Sequence, residues 1–334
     1  MNNTDIPEIA KKLLTNKGEQ IRRYFQKPRN ADWCKEKSNE NIEKCMDDFS
    51  KRNFDHDEPW ITLVALYGLF GNQQDINDER KTIINELFSE VFKTSPPHFD
   101  SLVGANIEVY LPEIIKYREY LKNTLFNKGA YHPYQDRKNA IKGKRNKENA
   151  SFEGNTNLDA LISGKSKGRG IHVFIEAKFL SDISKDITYI PVRNQIARNI
   201  DAAIDLTTEG GKNNEGLHDF WFVLLTPGIF RTEKYGGPVH SPIAPFIPER
   251  SRLYCYKMED YSNPDLLRKD LPHLDKTNGG FLDGEQWKII SERIGWLTFE
   301  EIASKVISSK TLDEGLLGSF EKFFNDRAII SESN

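Results

Sequence analysis

The sequence predicts an α/β fold, in which a strand–strand–helix–strand unit sits between a helical N-terminal region and a mostly helical C-terminal tail. Three observations predict it. Apolar residues recur at helical spacing through much of residues 5–127, period-two alternation takes over between Asn155 and Phe179, and the run Phe220 to Leu225 has the length and aromatic, β-branched content of a strand buried on both faces. The expected organisation is a helical region over 1–105, a core over 106–260 with a basic insertion at 128–150, and a helical region over 261–334.

A chain of 334 residues can bury a sizeable core, and its 37% hydrophobic and 29% charged content is that of a soluble globular protein. The most apolar run, Trp60 to Phe70, is broken by Thr62, Tyr67 and Gly68 and falls short of the roughly 18 residues of a membrane span, so no membrane partner is expected. The start MNNTDIPEIAKKLL lacks the basic and apolar regions of a signal peptide, and a cytoplasmic location is the expectation. Cys34, Cys45 and Cys255 have no C-x-x-C pairing and read as free thiols.

The first helical stripe comprises Ile9, Leu13, Leu14, Ile21, Tyr24 and Phe25, and a second comprises Ile76, Ile83, Ile84, Leu87, Phe88, Val91 and Phe92. A further helix is expected from about Ile107 to Phe126, with Glu113 as a remote candidate for a metal ligand. The insertion that follows carries seven Lys/Arg (128, 137, 138, 142, 144, 145, 147) against two acids (136, 148), which suits either a solvated loop or contact with phosphates. Tyr131 and Tyr134 within it are candidates for stacking or for packing.

The hairpin comes next. Val173, Ile175, Ala177 and Phe179 fall on one face of its second strand, and His172, Phe174, Glu176 and Lys178 on the other. On its first strand Leu158, Ala160 and Ile162 oppose Asn157 and Asp159, so two acids and a lysine converge. The turn between them, Gly164 to Gly170, is rich in glycine and lysine but precedes a strand, which argues against a phosphate-binding loop.

Pro191 is placed to begin a helix with the stripe Val192, Ile196, Ile200, Ala203 and Ile204. Prolines at 238, 242, 245 and 248 mark an extended surface loop, and Arg252 to Met258 reads as a strand. Thr298 and Glu301 have capping-box spacing for a helix to about Ile307, and a last helix is expected over Asp313 to Asn325. The seven histidines show no zinc-site spacing, and no G-x-S-x-G elbow occurs.

An acid followed two residues later by lysine also occurs at Glu79 and Asp136, but only Glu176 and Lys178 lie in an apolar strand with an acid on the strand before it. Asp159, sixteen intervening residues and then Glu176-Ala177-Lys178 resembles the PD-(D/E)XK nuclease superfamily, over roughly residues 107–230. Leu158 stands where that pattern has proline. The resemblance implies a restriction-endonuclease-like core, a central mixed β-sheet flanked by helices. It also implies Mg2+ held by Asp159, Glu176 and the carbonyl of Ala177, a catalytic Lys178 serving the attacking water or the phosphoryl charge, and Gln195 or Arg198 in support.

Phosphodiester hydrolysis needs those groups, because hard carboxylate oxygens bind Mg2+ and a cation beside the phosphate offsets its charge. A plain surface ion pair of Glu176 with Lys178, worth at most about 1 kcal/mol, is the bland alternative. The expected partner is double-stranded DNA, with Lys144, Arg145, Lys165, Arg169, Arg193 and Arg198 as candidate contacts and His172 as a less favoured one. By analogy the expected role is that of a homodimeric type II restriction endonuclease. A repair or junction-resolving nuclease, or a non-catalytic DNA-binding module, is the alternative.

Overall fold

The hairpin forms where the alternation of apolar and polar residues places it. The structure, a computed structural model, describes residues 58–71, 77–112, 114–121, 123, 156–179, 193–231 and 253–326. Its frame is a five-stranded mixed sheet of β1 (Ser101–Leu111), β2 (Thr156–Ser166), β3 (Arg169–Ala177), β4 (Phe220–Thr226) and β5 (Ile294–Thr298), in that spatial order. The first three are antiparallel neighbours, and β3, β4 and β5 run parallel. The turn is tighter than Gly164 to Gly170. Lys165 and Arg169 lie on paired strands, and only Lys167 and Gly168, at φ 49° and 80°, make the reversal. Two successive left-handed residues match the right-handed twist of the strands they join.

The described helices are α1 (Glu58–Phe70), α2 (Asp78–Val91), α3 (Ile115–Leu121), α4 (Gln195–Thr207), α5 (Leu253–Asp260), α6 (Pro264–Asp270), α7 (Gly284–Ser291), α8 (Phe299–Ser309) and α9 (Glu314–Asn325). Helices α1, α2, α8 and α9 cover one face of the sheet, where Ala160, Ile162, Val173, Ile175, Ala177 and Val223 meet Trp60, Leu63, Phe88 and Phe320. On the other face, Phe174, Phe220, Phe222 and Leu224 pack against Ile196, Ile200 and Ile204 of α4, with Tyr254 and Trp287 behind. Every residue of β4 is buried, as a strand covered on both faces must be. Each large apolar side chain buried there contributes about 1.5–3 kcal/mol.

Capping residues stand where the sequence sets them. Thr298 and Glu301 form a reciprocal capping box at α8, and Asp313 accepts from Leu316 N at α9. Helix α4 does not begin at Pro191 as expected: it opens at Gln195, with Asn194 as its cap, and Arg193 precedes the helix. Pro191 and Val192, like residues 1–57, Glu113, the 128–150 segment and the proline-rich stretch 236–248, lie outside the described residues.

Three expected elements are corrected. Residues 101–111 form strand β1, not the start of a helix from Ile107, and α3 supplies only the later part of that stretch. Ala105, Ile107 and Leu111 are buried while Val103 and Tyr110 are exposed, so the period that decides is two. Arg252 to Met258 is not a strand, because residues from Leu253 onward form α5, which buries Tyr254, Cys255 and Met258 and leads to buried Tyr261 at helical spacing. The tail is not wholly helical either. Ile294–Thr298 adds β5 beside β4, and Gly295 lets α2 approach it, since a Cβ there would lie 2.5 Å from Val91 Cγ1.

Candidate active site

Strands β2 and β3 pair from the turn as far as Ala160 and Ile175, and there the described ladder ends. One residue further, the Asp159 carboxylate takes over from the ladder: its Oδ2 accepts a hydrogen bond from Ala177 N at 2.8 Å. On its other side β3 stays paired with β4 through Ala177 and Leu225, and Lys178 N continues to Leu225 O at 2.8 Å. The parting of β2 from β3 therefore makes room for side chains while β4 keeps their backbone fixed.

Lys178 is the hub. Its Nζ lies 2.6 Å from Glu176 Oε1, 3.1 Å from Glu58 Oε1 and 3.9 Å from Asp159 Oδ2, and it donates to Ala177 O at 2.8 Å. Glu176 is gripped from α4 as well. Gln195 Nε2 donates to Oε1 and, one helical turn on, Asn199 Nδ2 donates to Oε2, both at 2.5 Å. Glu58, in the first turn of α1, accepts Phe179 N on Oε2 at 2.9 Å, so it braces the chain just past Lys178.

Three carboxylates thus surround one ammonium. Burial pushes the Asp159 carboxyl well above the usual range, and the charge of Glu176 adds to the push while Lys178 opposes it. Burial likewise raises Glu176 against the pull of Lys178. For Lys178 burial favours the neutral amine, but Glu176, Asp159 and Glu58 outweigh it and hold the group above its ordinary value. The Glu176 and Lys178 side chains are 1% and 7% exposed, against 13% and 19% for Asp159 and Glu58, so the cluster meets solvent on the Asp159–Glu58 side.

The sequence-derived trio Asp159, Glu176 and Lys178 is brought together, with Gln195 and the Ala177 carbonyl beside it. Two participants were not foreseen. Asn199 stands four residues after Gln195 on α4 and so shares its face, a signal present in the sequence. Glu58 arrives from a helix far upstream, with nothing local to announce it.

The expected DNA contacts fare differently. Arg193 is 2% exposed, pairs with Asp201 and stacks 3.6 Å over the Tyr117 ring, so it is not offered to a ligand. Arg169 pairs with Asp219 at 2.8 Å at the turn end of β3, seven residues or about 23 Å along the strand from Glu176, and Lys165 stands opposite Gly170 at that same end. Arg198 lies on α4, half-buried. His172 bonds to Ser163 Oγ through Nδ1 at 3.0 Å, away from the cluster. Lys144, Arg145, Tyr131 and Tyr134 lie outside the described residues.

No family model matches the chain, and no curated protein or solved structure is significantly similar to it. The cluster must therefore be read from its own chemistry. Among the described residues no three His, Cys, Asp or Glu side chains form a ready-made metal-binding group. The donor set nonetheless suits a hard divalent cation, since it is all oxygen, gathers three carboxyl groups and includes a carbonyl directed into the site. Nor is any described helix long and apolar enough to cross a membrane.

Proposed function

We propose that the protein is a Mg2+-dependent endonuclease with a restriction-endonuclease-like core that hydrolyses phosphodiester bonds of double-stranded DNA. One observation carries the proposal: Asp159, Glu176 and Lys178 converge where β2 parts from β3, with Glu58 as a third carboxylate around the one ammonium. Asp159, Glu176 and the Ala177 carbonyl would hold Mg2+, with Glu58 as a further oxygen donor, and the ion supplies charge neutralisation at the phosphate and an acidified water. Gln195 and Asn199 fix the Glu176 plane from behind, leaving its orientation little freedom.

Lys178 is an ammonium in this setting and donates hydrogen bonds. That suits it to orient the attacking water and to offset charge growing on the phosphoryl oxygens. The partly exposed Asp159–Glu58 side is the side from which a phosphate can approach. The favoured role remains a type II restriction enzyme acting as a homodimer, because cutting both strands of a duplex takes two such sites and paired sites match two-fold symmetric targets.

Incubation of the purified protein with plasmid DNA and Mg2+ tests this reading. Discrete fragments with uniform ends are expected. Cutting confined to branched or damaged DNA would move the role to repair, and binding with no cutting of any DNA would overturn the proposal.

A further inference from the structure

A second polar cluster lies on the far side of the α4 N-terminus. Asn194, 4% exposed, commits its whole side chain there. Its Oδ1 caps Ala197 N at 3.1 Å, while Nδ2 donates to Tyr261 Oη at 2.7 Å and to Asp270 Oδ2 at 3.2 Å. That same Asp270 oxygen accepts from Tyr261 Oη at 2.6 Å and from Lys257 Nζ at 2.9 Å. Tyr261 is fully buried. Three donors from α4's cap, from α5 and from the turn after α5 therefore meet on one carboxylate oxygen at the end of α6.

The next residue in the chain is Gln195, which grips Glu176. The start of α4 is thus held between two carboxylates, Asp270 behind and Glu176 ahead. A helix is stiff over one turn, so a displacement of Asn194 is a displacement of Gln195 and of Asn199 one turn on. Hydrogen bonds of 2.5 Å do not survive a shift of about 1 Å unchanged. A buried polar network costs stability unless every member is satisfied, and what it gives in return is a fixed geometry.

We propose that Asp270 and Tyr261 are positioning residues that set the orientation of Glu176 through Asn194 and Gln195, so that the C-terminal region governs the site's affinity for its cation. The cation part of this inference rests on the nuclease reading; the geometric part does not. A helix cap that served stability alone would leave the Gln195–Glu176 bond unchanged in a folded variant.

Two measurements test it. In the metal-free protein, the side-chain amide resonances of Gln195, identified by their loss in Gln195→Ala, are expected to move toward solvent-exposed values in Asp270→Asn and, less far, in Tyr261→Phe. In DNA cleavage, Asp270→Asn is expected to raise the Mg2+ concentration for half-maximal rate by about tenfold or more, the usual effect of losing an outer-sphere support. Combined with Gln195→Ala it should add little further. Unmoved Gln195 resonances in folded Asp270→Asn, or effects of the two substitutions that simply multiply, would overturn the proposal. If Asp270→Asn does not fold, Tyr261→Phe carries the same two outcomes. Absence of cleavage by the wild-type protein would count against the nuclease reading alone, because the amide measurement needs neither metal nor DNA.

Discussion

Two buried charge clusters sit against helix α4, and they are built on opposite principles. In the first, Asp201 is fully buried and is matched by two bases: Arg193 contacts its Oδ2, and His273 Nε2 lies 3.0 Å from its Oδ1. Burial works against the Asp201 carboxylate, but His273 and Arg193 outweigh it and hold the carboxyl below its usual range. In the second, Asp159, Glu176 and Glu58 share Lys178, and burial leaves Asp159 and Glu176 raised. The first cluster is electrically settled and belongs to the fold. The second crowds three carboxylates around one ammonium and raises two of them, the kind of perturbed cluster that gathers at functional sites.

The comparison is broken most forcefully at Lys178 and Glu176. Alanine at either is expected to lower DNA cleavage by roughly 10²–10⁴-fold or more while circular dichroism shows a folded protein, because the loss falls on chemistry. Alanine at Asp201 should do the reverse. Removing the shared partner of Arg193 and His273 leaves the buried Arg193 guanidinium uncompensated, at a cost of about 3–5 kcal/mol in urea unfolding. Equal stability losses at Asp201 and Glu176 would erase the distinction between the clusters.

Glu300 sharpens it with a half-buried acid that no cation pairs directly. Its Oε2 accepts Gly228 N at 2.7 Å, while the adjacent Arg231 is taken by Glu301, and burial pushes the Glu300 carboxyl up to about 7. Between about pH 4.5 and 7 the folded state therefore keeps a proton that the unfolded state has lost, so stability falls as pH rises through that window. The fall should amount to roughly 1–3 kcal/mol and should flatten in Glu300→Gln, as followed by unfolding at a series of pH values. The smallest effect is expected at Asp159. Without divalent metal, Asp159→Asn relieves carboxylate crowding and should stabilise the protein by about 1 kcal/mol, whereas millimolar Mg2+ should raise the melting temperature of the wild type alone.

Much of this site was legible because its three central residues lie within one hairpin, where alternation fixes direction and spacing fixes proximity. Gln195 was named, beside Arg198, only through the resemblance to a known nuclease pattern. Glu58 was not legible, since it reaches Lys178 only through the packing of α1 on the sheet, 120 residues away along the chain. Strand β1 read as helix because Ile107, Leu111 and Ile114 satisfy a helical stripe, and Ile107 and Leu111 satisfy a strand's alternation equally well; only pairing with β2 decides. Strand β5 is five residues long with a glycine inside it, and its identity comes from β4 beside it. Arg193 shows the limit of charge as a guide, for an arginine near a site is as ready to brace a helix as to meet a phosphate.

The carboxylates around Lys178 are proposed to hold a divalent cation for phosphodiester hydrolysis. The most direct test is the rate of plasmid cleavage by wild-type protein and by Glu176→Ala, measured side by side across a Mg2+ titration and in EDTA. Cutting by the wild type is expected to rise with Mg2+ and vanish in EDTA, and cutting by Glu176→Ala to stay at least about 10²-fold slower at every concentration. Cleavage by Glu176→Ala at the wild-type rate, or wild-type cleavage that persists in EDTA, would contradict the proposal.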